Sequence, residues 1–125
     1  MGIKAGKRIY KRGENMKDKQ SVLVPGNIWD MKDKELLNLI IAREGGETTI
    51  KIIDLILHKP YNKNQMAKKL NLDYNTISYH VNIMKKHNYI SDEKLNNIHY
   101  YHPTEKLFKS LDEYNFIKEY LLDDE

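Results

Sequence analysis

YNKNQMAKKLNLDYNTISYHVNIMKKHNYI, residues 61–90, holds two helix starts in tandem. Asn62 is a good N-cap, and Gln65, three residues on, can reach back to the Asn62 backbone N–H as in a capping box. Tyr61 and Met66 flank that cap at the positions of a hydrophobic staple. The arrangement recurs with Asp73 as the cap and Leu72 and Ile77 as the second staple. Between the caps lies one short helix, about Lys63 to Leu70, closed by Asn71. A short helix, a tight turn and a longer capped helix are what a helix-turn-helix requires.

In the longer helix, about Tyr74 to His87, Ile77, Val81 and Met84 recur at helical spacing and face a core, with Ile83 at the edge. Asn75, Thr76, Ser78, Tyr79 and Asn82 fall on the other side. His80 lies near the boundary, either contacting phosphate or packing under Tyr74. Downstream, Tyr89 to Tyr101 has the alternation of a β-hairpin, with a turn centred on Leu95-Asn96-Asn97, because Asn tolerates positive φ. A hairpin directly after such a helix is a wing. Of Tyr100 and Tyr101, one is expected in the core and one on the surface.

Upstream, Thr48 to His58 is a helix apolar around most of its circumference, so it is buried on more than one side. Lys59-Pro60 ends it. A first helix is expected over about Met31 to Arg43, capped by Asp30 or Asp33, striped by Leu36, Leu37, Ile40 and Ile41, and stopped by Gly45-Gly46. Ser21 to Trp29 is an extended lead-in with a Pro-Gly turn. Pro103-Thr104 breaks the hairpin, and a last helix runs about Glu105 to Leu122. Its Leu107, Phe108, Leu111, Tyr114, Phe116, Ile117, Tyr120 and Leu121 are more apolar surface than covering a small domain needs.

The chain has 125 residues, 40% of them apolar and 31% charged, and carries a net charge of +3. One compact domain with tails fits that length. No stretch nears the run of about 18 apolar residues of a membrane span. The N-terminus lacks the apolar region of a secretory signal. Cysteine is absent, which removes disulfides and thiolate metal sites and fits a cytoplasmic protein. Residues 1–20 are basic, without apolar period, and are expected to form a flexible tail; Met16 offers an alternative start. Residues 58–103 carry seven lysines against Asp73, Asp92 and Glu93. Positive charge therefore lies where phosphate neutralisation would need it, although a lysine-rich solvated surface has the same composition.

Other chemistries find little support. His99 and His102, three apart on a strand, point to opposite faces and chelate poorly. With no cysteine and no His-Glu-x-x-His, no metal site is expected. Gly45-Gly46 lacks the Lys-Ser/Thr of a phosphate loop, and no Ser-His-Asp or paired-carboxylate motif stands out, so no enzyme is expected and no cofactor.

The span from about Arg43 to Pro103 resembles the winged helix-turn-helix proteins of the ArsR-like superfamily, especially its archaeal transcription regulators. REGGETTIKIIDLIL (43–57), KPYNKNQMAKKLNLDYNTISYHVNIMKKHNYI (59–90) and NIHYYHPT (97–104) carry the likeness. It covers about half the chain. The resemblance implies a homodimer whose recognition helices enter successive major grooves of double-stranded DNA while the wings touch flanking backbone or minor groove. The cysteine pairs of ArsR-type metal sensors are missing, which excludes metal sensing by that route.

The fold expected is therefore mainly α with a hairpin wing: a winged helix-turn-helix over 48–103, preceded by a lead-in and helix over 21–47 and followed by a C-terminal helix over 104–125. Asn75, Thr76, Ser78, Tyr79 and Asn82 are the candidates for base contact. Lys63, Lys68, Lys85, Lys86, Lys94 and Asn96 are the candidates for the DNA backbone. Leu36, Leu37, Ile40 and Ile41, with Leu111, Tyr114, Ile117, Tyr120 and Leu121, are the candidates for dimerisation. The function expected is sequence-specific transcription regulation. The rivals are a winged-helix protein-interaction module and a non-specific nucleic-acid binder driven by the basic tail. Neither an effector nor an operator can be read from the sequence.

Overall fold

Helix caps and asparagine turns lay out the chain between its first and last described residues. The computed structural model describes residues 28–122; the basic tail, the Pro25-Gly26 turn and the acidic end at 123–125 lie outside them. After a 3₁₀ turn at Ile28–Asp30 come α1 (Lys34–Ile40), α2 (Gly46–His58), α3 (Lys63–Leu70), α4 (Tyr74–Lys86), β1 (Ile90–Leu95), β2 (Ile98–Pro103), α5 (Glu105–Lys109) and α6 (Leu111–Leu122). The chain is thus mainly helical, with a two-stranded antiparallel hairpin after the helices. Two compact units divide it. One joins the described residues up to Glu44 with those from Leu111, and the other is Gly45–Ser110.

Within Gly45–Ser110, α3 has the full capping box: Asn62 Oδ1 accepts from Gln65 N at 2.8 Å and Gln65 Oε1 accepts from Asn62 N at 2.9 Å. Helices α3 and α4 end in the same way. Asn71 and Asn88 take positive φ, and the following Leu72 and Tyr89 N–H groups return to the Ala67 and Met84 carbonyls at 3.0 Å. This six-to-one bond with a left-handed residue is a Schellman closure. Asn96 and Asn97 also take positive φ, the requirement of a two-residue hairpin turn whose twist matches its strands. Strand β2 is tied back to the start of α3, because Tyr61 and Tyr101 exchange both backbone hydrogen bonds, at 3.3 and 2.8 Å. That bridge fixes which tyrosine enters the core. Tyr101 is buried, Tyr100 is half-buried, and Ile98 is exposed.

Several expected boundaries move. The first helix is only Lys34–Ile40, capped by Asp33, whose Oδ1 accepts from Leu36 N at 2.9 Å. Gly45 does more than follow it. At φ +87° Gly45 is the N-cap of α2, which begins at Gly46 rather than Thr48. The last helix is two, because Ser110 interrupts it and its N–H turns back to the Leu107 carbonyl at 3.0 Å. Thr104 caps the first piece, and its Oγ1 also donates to the Asn88 carbonyl at 2.7 Å.

In the other unit, the Glu113 carboxylate on α6 accepts from the backbone N–H groups of Lys32 and Asp33, just before α1, at 2.9 and 2.8 Å. Leu36, Leu37, Ile40, Tyr114 and Ile117, expected on a dimer surface, are at most 1% exposed within the single chain. They are core. Helices α1 and α6 cover each other, and an apolar stripe does not reveal which surface it meets. Ile41, Leu111, Tyr120 and Leu121 stay half-exposed.

Candidate nucleic-acid interface

Helix α4 has one dry side and one wet side. Ile77, Val81 and Met84 are 0% exposed, whereas Asn75, Asn82 and Tyr79, the last at 59%, stand outside. The 3.6-residue period puts positions 77, 81 and 84 on one stripe and leaves 75, 79 and 82 opposite. Thr76 and Ser78, placed on the outer face by the sequence, are half-buried. The helix starts at Asp73, whose Oδ1 accepts from Thr76 N at 2.8 Å. That backbone donor holds the Asp73 carboxyl below the usual carboxylate range.

His80, placed near the boundary by the sequence, lies in the core. It is 6% exposed, and its Nδ1 shares a 3.4 Å hydrogen bond with the buried Thr49 hydroxyl of α2. Its ring sits so close to Gly45 that a Cβ there would be 2.5 Å from His80 Cε1. Glycine is therefore required at 45 twice over, by φ and by this contact. The imidazole and the Tyr79 ring meet edge to face, their centres 5.1 Å apart and their planes at 80°. His80 thus anchors α4 to α2 beneath the exposed tyrosine.

Lys63, at the first position of α3, reaches across to α4. Its Nζ donates to Ser78 Oγ at 2.8 Å and Asn82 Oδ1 at 3.0 Å. Asn82 Nδ2 donates in turn to Ser78 Oγ at 3.4 Å. The ammonium lies over the rings of Tyr101 and Tyr74, 5.6 and 6.0 Å from their centres. Burial, then the nearby Lys85, lowers the Lys63 pKa. Three residues expected to act separately, one on phosphate and two on bases, are therefore one hydrogen-bonded group.

Asp92 on β1 forms a second group. It pairs with Lys85 Nζ of α4 at 2.8 Å and with His99 Nδ1 of β2 at 2.5 Å. The Lys85 hydrogen bond leads the causes that hold Asp92 below the usual carboxylate range, and the same bond raises Lys85. Burial raises the neighbouring Tyr101 hydroxyl. This pairing locks the root of the hairpin to the end of α4. It also spends on a carboxylate the charge that the sequence assigned to phosphate. Lys68, Lys86, Lys94 and Asn96 are exposed, the last two at the hairpin tip. Leu95 and Ile98 face each other across that tip, 60% and 43% exposed.

Sequence reasoning passed over Asp92 and His99 as partners and Gly45 as a seat for His80. The Asp92–His99 contact is a diagonal one between same-face pairs two positions apart on the ladder, since Asp92 is opposite Tyr101 and His99 opposite Lys94. The hairpin pattern held that signal. Nothing in the sequence marked the approach of Lys63 to α4. Among the described residues, no group of three or more His, Cys, Asp or Glu is placed to hold a metal ion, and no helix is long and apolar enough to cross a membrane. No protein-family model matches the chain, and no curated protein does.

Proposed function

We propose that this chain is a winged helix-turn-helix regulator of transcription of the ArsR-like kind, which binds double-stranded DNA sequence-specifically. One observation carries the reading. The outer side of α4 presents Asn75, Tyr79 and Asn82 to solvent from a helix capped at both ends and buried along its other side. A rigid helix with short polar side chains on its free face is the form that enters a major groove and meets base edges there. The hairpin that follows serves as the wing. Lys94 and Asn96 at its tip, with Lys68 and Lys86 on the helices, dock phosphates. Lys63 and Lys85 are held by partners and contribute less to that term.

A homodimer would present two such helices to a pseudo-palindrome, with half-site centres about 10–10.5 bp apart or a multiple of that. The half-exposed Ile41, Leu111, Tyr120 and Leu121 are what the chain offers a second copy. The test is selection from a pool of random duplexes by the purified chain and by an Asn75→Ala/Tyr79→Ala variant at matched salt. A motif that emerges for the native chain and fades for the variant supports direct readout. Equal retention of all duplexes by both would replace it with non-specific binding.

A further inference from the structure

The Lys63–Ser78–Asn82 group constrains what the middle of α4 can say to a ligand. An ammonium has three donors and no acceptor. The atom of Asn82 that meets Lys63 at 3.0 Å must therefore be its carbonyl oxygen, which fixes the orientation of the amide. The Nδ2 group, with two N–H bonds, is left to turn outward, one of them leaning on Ser78 at 3.4 Å. Ser78 Oγ accepts from both Lys63 and Asn82, which uses its two lone pairs. Its remaining capacity is its own O–H proton. Lys63 is itself held in place by the Tyr74 and Tyr101 rings and sits half-buried. The remaining capacity of Lys63 and Ser78 is to donate, and Asn82 keeps one N–H and one lone pair on the oxygen that Lys63 holds.

The four bases differ in what they offer such a patch. In the major groove guanine shows two acceptors side by side, O6 and N7. Adenine shows an acceptor next to an amino donor, cytosine shows an amino donor, and thymine shows a single acceptor, O4, beside a methyl group. The paired contact of an asparagine with adenine uses both the amide N–H and the amide oxygen, and here the oxygen is turned to Lys63. We propose that Lys63, by holding the Asn82 oxygen to itself and leaving Ser78 only its O–H to offer, makes this part of α4 a reader of guanine rather than adenine. The inference rests on the DNA-binding reading above and adds a specificity-determining residue that lies on a different helix from the bases' direct contacts.

The experiment uses the full chain and the duplex recovered from the random selection. Asn82→Ala identifies the position read by Asn82 as the one whose preference it flattens. Duplexes carrying each of the four bases at that position are then titrated with the native chain, Lys63→Met and Lys63→Arg, all at one salt concentration. The native chain is expected to favour guanine over adenine by about tenfold. Lys63→Met frees the Asn82 oxygen, and the guanine-to-adenine ratio is expected to fall to about one or to invert. Lys63→Arg, which still donates, is expected to keep guanine first. Loss of a phosphate contact would weaken all four duplexes alike and leave the ratio unchanged, so the ratio separates the two roles. A native preference for adenine, a guanine ratio untouched by Lys63→Met, or no position flattened by Asn82→Ala would overturn the inference while leaving sequence-specific binding in place. A selection that yields no motif would overturn both.

Discussion

Helices α4 and α6 are of similar length, 13 and 12 residues, and they spend their outer sides differently. Helix α4 buries Ile77, Val81 and Met84 and turns asparagines and a tyrosine outward. Helix α6 buries Tyr114 and Ile117, yet its outer positions include Leu111, Phe116, Tyr120 and Leu121, all half-exposed. The asparagines on the outer side of α4 are matched by groups that answer their hydrogen bonds, beside the exposed ring of Tyr79, so that side suits a partner with a particular pattern of donors and acceptors. That of α6 can be covered by any apolar surface of the right shape, because the hydrophobic effect has no direction. On the proposed reading, the first would discriminate among ligands and the second would associate with a second copy.

Ile117 gives the contrast its largest measurable consequence. Ile117→Ala on the dry side of α6 is expected to lower stability by about 2–5 kcal/mol, whereas Asn75→Ala on the wet side of α4 should change it by less than about 0.5 kcal/mol. Urea unfolding of both variants measures this. Equal midpoints would dissolve the comparison. Next, Gly45→Val pushes a side chain into His80 and into a backbone region that L residues avoid. A loss of about 2 kcal/mol is expected, with the Tyr79 and His80 resonances shifting together in an NMR spectrum. A silent Gly45→Val would mean that His80 does not seat α4. Smaller still, Asn62→Ala removes the cap of α3 and is expected to cost about 1 kcal/mol, read as a lower thermal midpoint with the helix content at room temperature unchanged.

The smallest effect is on pH. Asp92 is held ionised by Lys85, so its carboxyl titrates lower in the folded chain than in the unfolded one. Its contribution is complete above the unfolded value of about 3.9. It disappears as pH falls through the lower, folded value. The native chain should therefore lose stability more steeply than Asp92→Asn on acidification below about pH 4. Parallel acid limbs would show that the Lys85–Asp92 pair contributes nothing to the hairpin root.

How much could be read in advance follows the range of each interaction. The limits of α3 and the start of α4 were legible because a cap acts over three residues, from Asn62 to Gln65 and from Asp73 to Thr76. The hairpin turn was legible for the same reason, since Asn96 and Asn97 bear their own conformational preference. The outward positions of Asn75, Tyr79 and Asn82 followed from period alone. Contacts made in space did not announce themselves. Lys63 meets Ser78 and Asn82 from 15 and 19 residues away. Glu113 reaches Lys32 and Asp33 from about 80 residues away. The apolar surplus of α6 was visible, but whether its own chain or a second copy covers Tyr114 and Ile117 is a tertiary fact. The break at Ser110 was equally hidden, because the apolar period continues across it.

The absence of cysteine allows the most direct test of whether the free side of α4 meets DNA. A single cysteine placed by Asn75→Cys can carry a tethered iron chelate that cuts nearby DNA, and the native chain, which has no thiol, cannot. With the duplex recovered from selection, the chelate at position 75 is predicted to cut within a few base pairs of each half-site centre, and the native chain given the same reagent to leave those centres intact. A duplex bound by the Asn75→Cys chain yet left uncut at its half-site centres would contradict the account.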